Sequence, residues 1–116
     1  MRLTFIETTV FTARIGKLGL EAGLHALQDT LLQAPQAGRL DPGTGGLRKI
    51  RIPDPMRGKG KRSGARVHYL WLPHRQRIYL MYVYSKDETA TLSTAQKRSL
   101  YQVVQAIKAA VEERMQ

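Results

Sequence analysis

The stretch Arg66-Val67-His68-Tyr69-Leu70-Trp71-Leu72, followed by Pro73-His74-Arg75-Gln76 and then Arg77-Ile78-Tyr79-Leu80-Met81-Tyr82-Val83-Tyr84, decides the fold. Two runs rich in β-branched and aromatic residues flank a short polar segment that opens on proline, the pattern of a β-hairpin. In the first run, alternation places Arg66 and His68 on one face and Val67, Tyr69 and Trp71 on the other, toward a core. The second run is apolar on both faces, as expected of a central strand.

Working upstream, residues 57–64 form a basic, glycine-rich loop. Before it, 47–52 alternates again, with Leu47, Lys49 and Arg51 on one side and Arg48, Ile50 and Ile52 on the other. Pro53 and Pro55 end that strand, because proline cannot donate to a ladder. Residues 36–46, with Asp41-Pro42-Gly43 and Gly45-Gly46, read as a loop. Near the start, 3–6 is a short strand. Thr8 or Thr9 then caps a helix carrying Phe11, Ile15 and Leu18. Gly16 and Gly19 weaken and end it. A second helix presents Leu20, Leu24, Leu27 and Leu31 on one face and stops near Ala34, since Pro35 disfavours helical geometry before it. Downstream, Ser93 with Gln96 forms a capping box. Leu100, Val103, Val104, Ile107 and Val111 follow at helical spacing. The predicted order is β-α-α-β-β-β-α, an α+β fold with an N-terminal helical hairpin, a small twisted, mostly antiparallel sheet and a C-terminal helix, in one domain over 1–116.

Composition narrows the function. The 116 residues are 42% hydrophobic, which suits a globular domain. Lys and Arg total 19 against 9 acids, a formal charge of +10. Such self-repulsion points to an anionic partner. Eight of the basic residues fall in one window: Arg48, Lys49, Arg51, Arg57, Lys59, Lys61, Arg62 and Arg66, with Asp54 the sole acid. Glycines at 58, 60 and 64 let backbone approach a phosphate closely. Helix-turn-helix, zinc-finger and basic-zipper patterns are absent, so RNA engaged by a sheet face and loops is favoured over duplex DNA read by a helix. No apolar run of about 18 residues offers a membrane span, and no signal-peptide core follows Met1. With no cysteine, neither disulfides nor thiolate sites arise. A cytoplasmic protein is expected. His68 and His74 lack nearby carboxylates at ligand spacing, so no metal site is expected; His25 reads as a surface residue of the second helix.

The segments Gly45-Gly46-Leu47-Arg48-Lys49-Ile50-Arg51, Arg57-Gly58-Lys59-Gly60-Lys61-Arg62-Ser63-Gly64-Ala65-Arg66-Val67-His68-Tyr69, Ile78-Tyr79-Leu80 and Tyr84-Ser85-Lys86-Asp87-Glu88, together with Phe5-Ile6-Glu7-Thr8 and Phe11-Thr12, resemble the RelE/ParE toxin superfamily. The likeness covers nearly the whole chain and is nearest the HigB branch. It implies a RelE-like fold and a toxin of a type II toxin–antitoxin pair. RelE-like members cleave messenger in the ribosomal A site by 2′-hydroxyl attack on the adjacent phosphate; ParE-like members inhibit DNA gyrase. Fold alone does not choose between them, nor exclude a non-catalytic RNA- or ribosome-binding relative.

Cleavage needs a base, cations for the charge developing on phosphorus, and a proton for the leaving oxygen. The resemblance carries these tasks onto Arg66, Lys49, Arg51 and Lys86. Arg66 stabilises the transition-state phosphate through its planar fork. Arg51 and Lys49 hold phosphate, and Lys49 is a candidate base, since neighbouring cations favour a neutral amine. Lys86 binds phosphate or protonates the leaving group. Arg48, Arg57, Lys59, Lys61, Arg62 and His68 are expected to contact RNA or the ribosome. This chain departs from RelE after Lys86, where Asp87 and Glu88 replace a basic residue and no tyrosine follows before Tyr101. Tyr84 is then a possible acid or base, although packing in the central strand is its simpler role. The expected partners are ribosome-bound messenger and an acidic or amphipathic antitoxin, with no metal or other cofactor.

Overall fold

The computed structural model describes residues 2–52 and 64–115, apart from the side chains of 113–115. Strand β1 (Thr4–Glu7) leads into α1 (Thr9–Leu18), α2 (Glu21–Gln33), β2 (Arg39–Leu40), β3 (Arg48–Ile52), β4 (Ala65–Leu72), a 3-10 turn (Pro73–Arg75), β5 (Arg77–Ser85) and α3 (Thr94–Met115). The sheet order is β1-β5-β4-β3-β2. β1 runs parallel to β5 and every other pair is antiparallel. The predicted α+β class and hairpin are present, and β5 lies between β1 and β4.

Local chemistry sets the helix boundaries. Thr8 is the cap of α1: its Oγ1 accepts from the Phe11 N–H and donates to the Met81 carbonyl at 3.1 Å. Gly16 lies inside α1; the helix ends at Gly19, whose left-handed φ of 66° costs glycine no side-chain clash. Phe11, Ile15, Leu20, Leu24, Leu27 and Leu31 then pack with Ile52, Val67, Tyr69, Ile78, Leu80 and Val83 on one sheet face. The Ser93–Gln96 capping box forms, with N–H donors at 2.8 and 3.1 Å.

Residues 36–46, expected to be a loop throughout, contain the two-residue strand β2, which pairs with Arg48 and Lys49. Gly38 makes this approach feasible, since a Cβ there would lie 2.9 Å from the Tyr69 ring and 3.0 Å from the Lys49 carbonyl. Tyr69 fastens the segment: its hydroxyl donates to the Pro35 carbonyl and accepts from the Gly38 N–H.

On the other sheet face, α3 covers Leu47, Leu70 and Met81 with Val104, Leu100 and Ile107. Val103, expected in this apolar stripe, is instead 44% exposed. It borders a groove with Val10, Tyr82 and Leu100, while Leu100, Val104 and Ile107 follow the line of apolar contact with the sheet. Tyr82 reaches this face through a β-bulge. His68 pairs with Tyr82 and Tyr69 with Leu80, so Met81 is the extra residue. Two consecutive side chains thereby share one face. Met81 fills the core under α3, and Tyr82 continues the uncovered half.

Candidate functional site

The uncovered half of the α3 face is built from two rungs of cross-strand neighbours. One rung runs Arg51, Arg66, Tyr84 across β3, β4 and β5. The other runs Arg39, Lys49, His68, Tyr82 from β2 to β5. Directly opposed side chains have Cβ atoms about 4.5–5.5 Å apart. Lys49, Arg51 and Arg66, separate in sequence, therefore converge, as the alternation predicted. Arg39 joins them unforeseen, since a two-residue strand leaves no periodic signal.

Opposing Arg51 to Arg66 is unfavourable, because like charges directly across a ladder repel. Burial and then the Arg51 charge lower the proton affinity of the Arg66 guanidinium below its ordinary value, with Tyr84 opposing. Arg66 Nη1 donates to the Gly64 carbonyl at 3.3 Å, which steadies it at the head of β4. Arg51 is exposed and Lys49 and Arg66 are half-buried, so all three are open to a ligand.

Below the cations lies a buried polar cluster. His68 is 0% exposed. Its Nε2 lies 2.7 Å from Asp41 Oδ2, and Lys97 Nζ donates to Asp41 Oδ1 at 3.1 Å. Burial pushes the His68 imidazole below its ordinary range, and the Asp41 bond recovers only part of that. For Asp41, burial acts upward, but the bonds to His68 and Lys97 outweigh it and hold the carboxyl low. The pair is therefore a neutral imidazole donating Nε2–H to a carboxylate. Asp41 is presented by a tight loop, in which Thr44 Oγ1 donates to the Asp41 carbonyl and accepts from the Leu47 N–H. Asp41 and Lys97 went unrecognised in the sequence because only the fold joins them to His68.

Two sequence expectations change here, those for His68 and Arg48, and the packing expected of Tyr84 is found. His68 was expected to contact RNA, but it is fully enclosed, so direct contact is ruled out in this conformation. Tyr84, a possible acid or base, is 1% exposed and its hydroxyl is buried without a partner. Its ring stacks on His68 with centroids 6.0 Å apart. Packing in the central strand is its role, and burial pushes its hydroxyl upward in proton affinity, against the pull of Arg66. Arg48 was grouped with the RNA-binding cations, but it alternates away from Lys49. Its guanidinium donates to the Gly38 carbonyl at 2.8 Å and to that of Gln36 at 3.4 Å, so it secures the segment before β2. Arg57, Lys59, Lys61 and Arg62 lie outside the described residues.

Lys86 is exposed in the turn after β5. That turn is braced by Glu88, which accepts from the Ser85 N–H at 2.8 Å and pairs with Arg14 of α1. Arg14 also donates to the Val83 carbonyl and lies over the Tyr82 ring, 5.0 Å from its centroid. The acids after Lys86 thus include one that holds the turn. His25 is exposed on α2, as expected. Among the described residues, no three His, Asp or Glu side chains gather as metal ligands, and no helix is long and apolar enough to cross a membrane. No model of a known protein family matches this chain.

Proposed function

We propose that this protein is the toxin of a type II toxin–antitoxin pair, a RelE-like endoribonuclease that cleaves messenger in the ribosomal A site and acts in the cytoplasm. The observation that carries the reading is the Arg51–Arg66 rung, flanked by Lys49 and Arg39. Such a rung weakens the isolated fold and is relieved by an anion seated between the two guanidinium groups. A polynucleotide phosphate fits that seat.

In the reaction, the substrate 2′-hydroxyl attacks the adjacent phosphorus. The new 2′-O–P bond forms as the P–5′-O bond breaks, leaving a 2′,3′-cyclic phosphate and a 5′-hydroxyl. Arg66 places its fork on the non-bridging oxygens as their charge grows. Arg51 and Lys49 fix the phosphate. Lys49 is the candidate base for the 2′-hydroxyl, and Lys86 the candidate donor to the 5′-oxygen. These side chains supply the charge stabilisation without calling on a metal. An acidic antitoxin segment laid on the cationic half would silence the protein by occupying the phosphate seat.

The test is induction of the wild type and of Arg66→Ala in growing cells with messenger 5′ ends mapped. Cuts inside translated codons that vanish in the variant are expected. Growth arrest with intact messengers and altered DNA supercoiling would transfer the protein to the gyrase-inhibiting class. Ribosome binding without cuts in either form would make it a non-catalytic binding module.

A further inference from the structure

The buried Asp41–His68 pair has no direct role in the proposed cleavage, because no substrate can touch it. Its geometry nevertheless reaches the phosphate seat. With Nε2 bonded to Asp41 at 2.7 Å, the neutral imidazole keeps its proton on that nitrogen. The other nitrogen, Nδ1, is then a bare acceptor, and it is buried with no hydrogen-bond partner. A buried acceptor without a donor is unfavourable, because it has lost its bonds to water and gained none. The cross-strand neighbour of His68 on β3 is Lys49, on the same sheet face. The Lys49 charge also acts on the imidazole, lowering its proton affinity together with that of Lys97.

We propose that His68 is a positioning residue that acts through Lys49: Asp41 claims the Nε2 proton, and the Nδ1 lone pair accepts a hydrogen bond from an N–H of the Lys49 amine, drawing it over the phosphate seat. The proposal rests on the nuclease reading for its consequence but not for its geometry. Among the described residues, the charged or titratable groups that bear on His68 are Asp41 from the loop before β3, Lys49 from β3, Tyr82 and Tyr84 from β5 and Lys97 from α3. Of these, Lys49 and the tyrosines are the available donors to Nδ1, since Lys97 is taken by Asp41 and the Pro42 carbonyl.

Two substitutions separate this role from a structural one. In His68→Gln, the longer amide still reaches Asp41 but offers nothing at the Nδ1 position. In His68→Asn, the short amide places an acceptor at the Nδ1 position but cannot reach Asp41. A role through Lys49 predicts that Gln keeps stability yet loses cleavage by on the order of tenfold, the size of one hydrogen bond. Asn is then less stable but cleaves better than Gln per folded molecule. Cleavage that simply follows stability, with Gln above Asn, overturns the proposal. A second measurement needs no ribosome: the Nδ1 nitrogen resonance of His68 in the intact protein. It is expected to shift in Lys49→Met and to stay in Tyr84→Phe. The reverse would assign the bond to Tyr84 and overturn the proposal. If the wild type cuts no messenger, the nuclease reading falls alone, and the resonance still decides the Lys49–His68 bond.

Discussion

One face of the sheet carries two halves with opposite logic. Under α3, Leu47, Leu70, Met81 and Val104 close a dry core. Beside it, Lys49, Arg51 and Arg66 stand on the same face, Arg51 exposed and the other two half-buried. The change takes one step of two residues, from Leu47 just before β3 to Lys49 on it. Burial of apolar surface stabilises the first half at about 25 cal/mol per Å². The second half opposes folding through like-charge contact. α3 therefore packs on the apolar part of this face, and the like-charged part stays at the surface. The Asp41–His68–Lys97 cluster is the seam: it joins the loop before β3, the middle of β4 and the first turn of α3.

Truncating one residue from each half should give the largest and most opposite effects. Leu47 is fully buried, so Leu47→Ala should cost about 2–5 kcal/mol of unfolding free energy, with cleavage per folded molecule preserved. Arg66→Ala should do the reverse. Loss of a preformed donor to a developing oxyanion costs about 10²–10³ in rate, while urea unfolding should shift little. A matched pair of denaturation curves and cleavage rates checks both. If Arg66→Ala unfolded the protein as readily as Leu47→Ala, the cationic half would be part of the core rather than a seat for a ligand.

Much of this division was legible before the structure. The alternation of 47–52 separated Leu47, Lys49 and Arg51 from Ile50 and Ile52, and the same rule paired Arg66 with His68. Periodicity reports which residues share a face, and here it was sufficient for the convergence of three cations. It does not report what lies above a face. His68 therefore read as a surface contact, although Asp41 and Lys97 enclose it from segments 27 and 29 residues away in sequence. Arg48 was misassigned because its carbonyl partners belong to the segment before β2, and that strand is too short to show a period. The bulge at Met81 was equally invisible, since an inserted residue in an apolar run leaves the run apolar. The helix stripe failed only at Val103, where spacing allowed burial but the narrow line of contact did not.

The seam should fail in acid. His68 titrates below its ordinary value in the folded protein, and its unfolded value is about 6.5. Its contribution to stability is complete above pH 6.5 and is lost as pH falls below that toward the folded value. Asp41 is also held low, and its contribution drains away below its ordinary value of 3.8. Each group adds a slope of up to about 1.4 kcal/mol per pH unit in its window. Urea midpoints of the wild type should therefore fall from pH 6.5 to pH 5, whereas His68→Gln should be nearly flat over that interval. A flat wild-type profile would mean that folding does not lower the proton affinity of His68, contrary to the buried neutral pair.

Arg51 is exposed and lies directly across from Arg66. Removing its charge with Arg51→Gln relieves the repulsion on that rung, so stability should rise by roughly 0.2–1 kcal/mol. The gain should be largest at low ionic strength and shrink with added salt, because exposed charges are screened. Single-stranded RNA should bind the variant more weakly, with a salt slope shallower by about 0.7 for the phosphate contact removed. A protein made more stable but a poorer ligand for RNA by the same substitution is the behaviour expected of a charge kept for its partner. If Arg51→Gln lowered stability, the rung would be held by a favourable contact of its own, and the argument from repulsion to an anionic ligand would lose its premise.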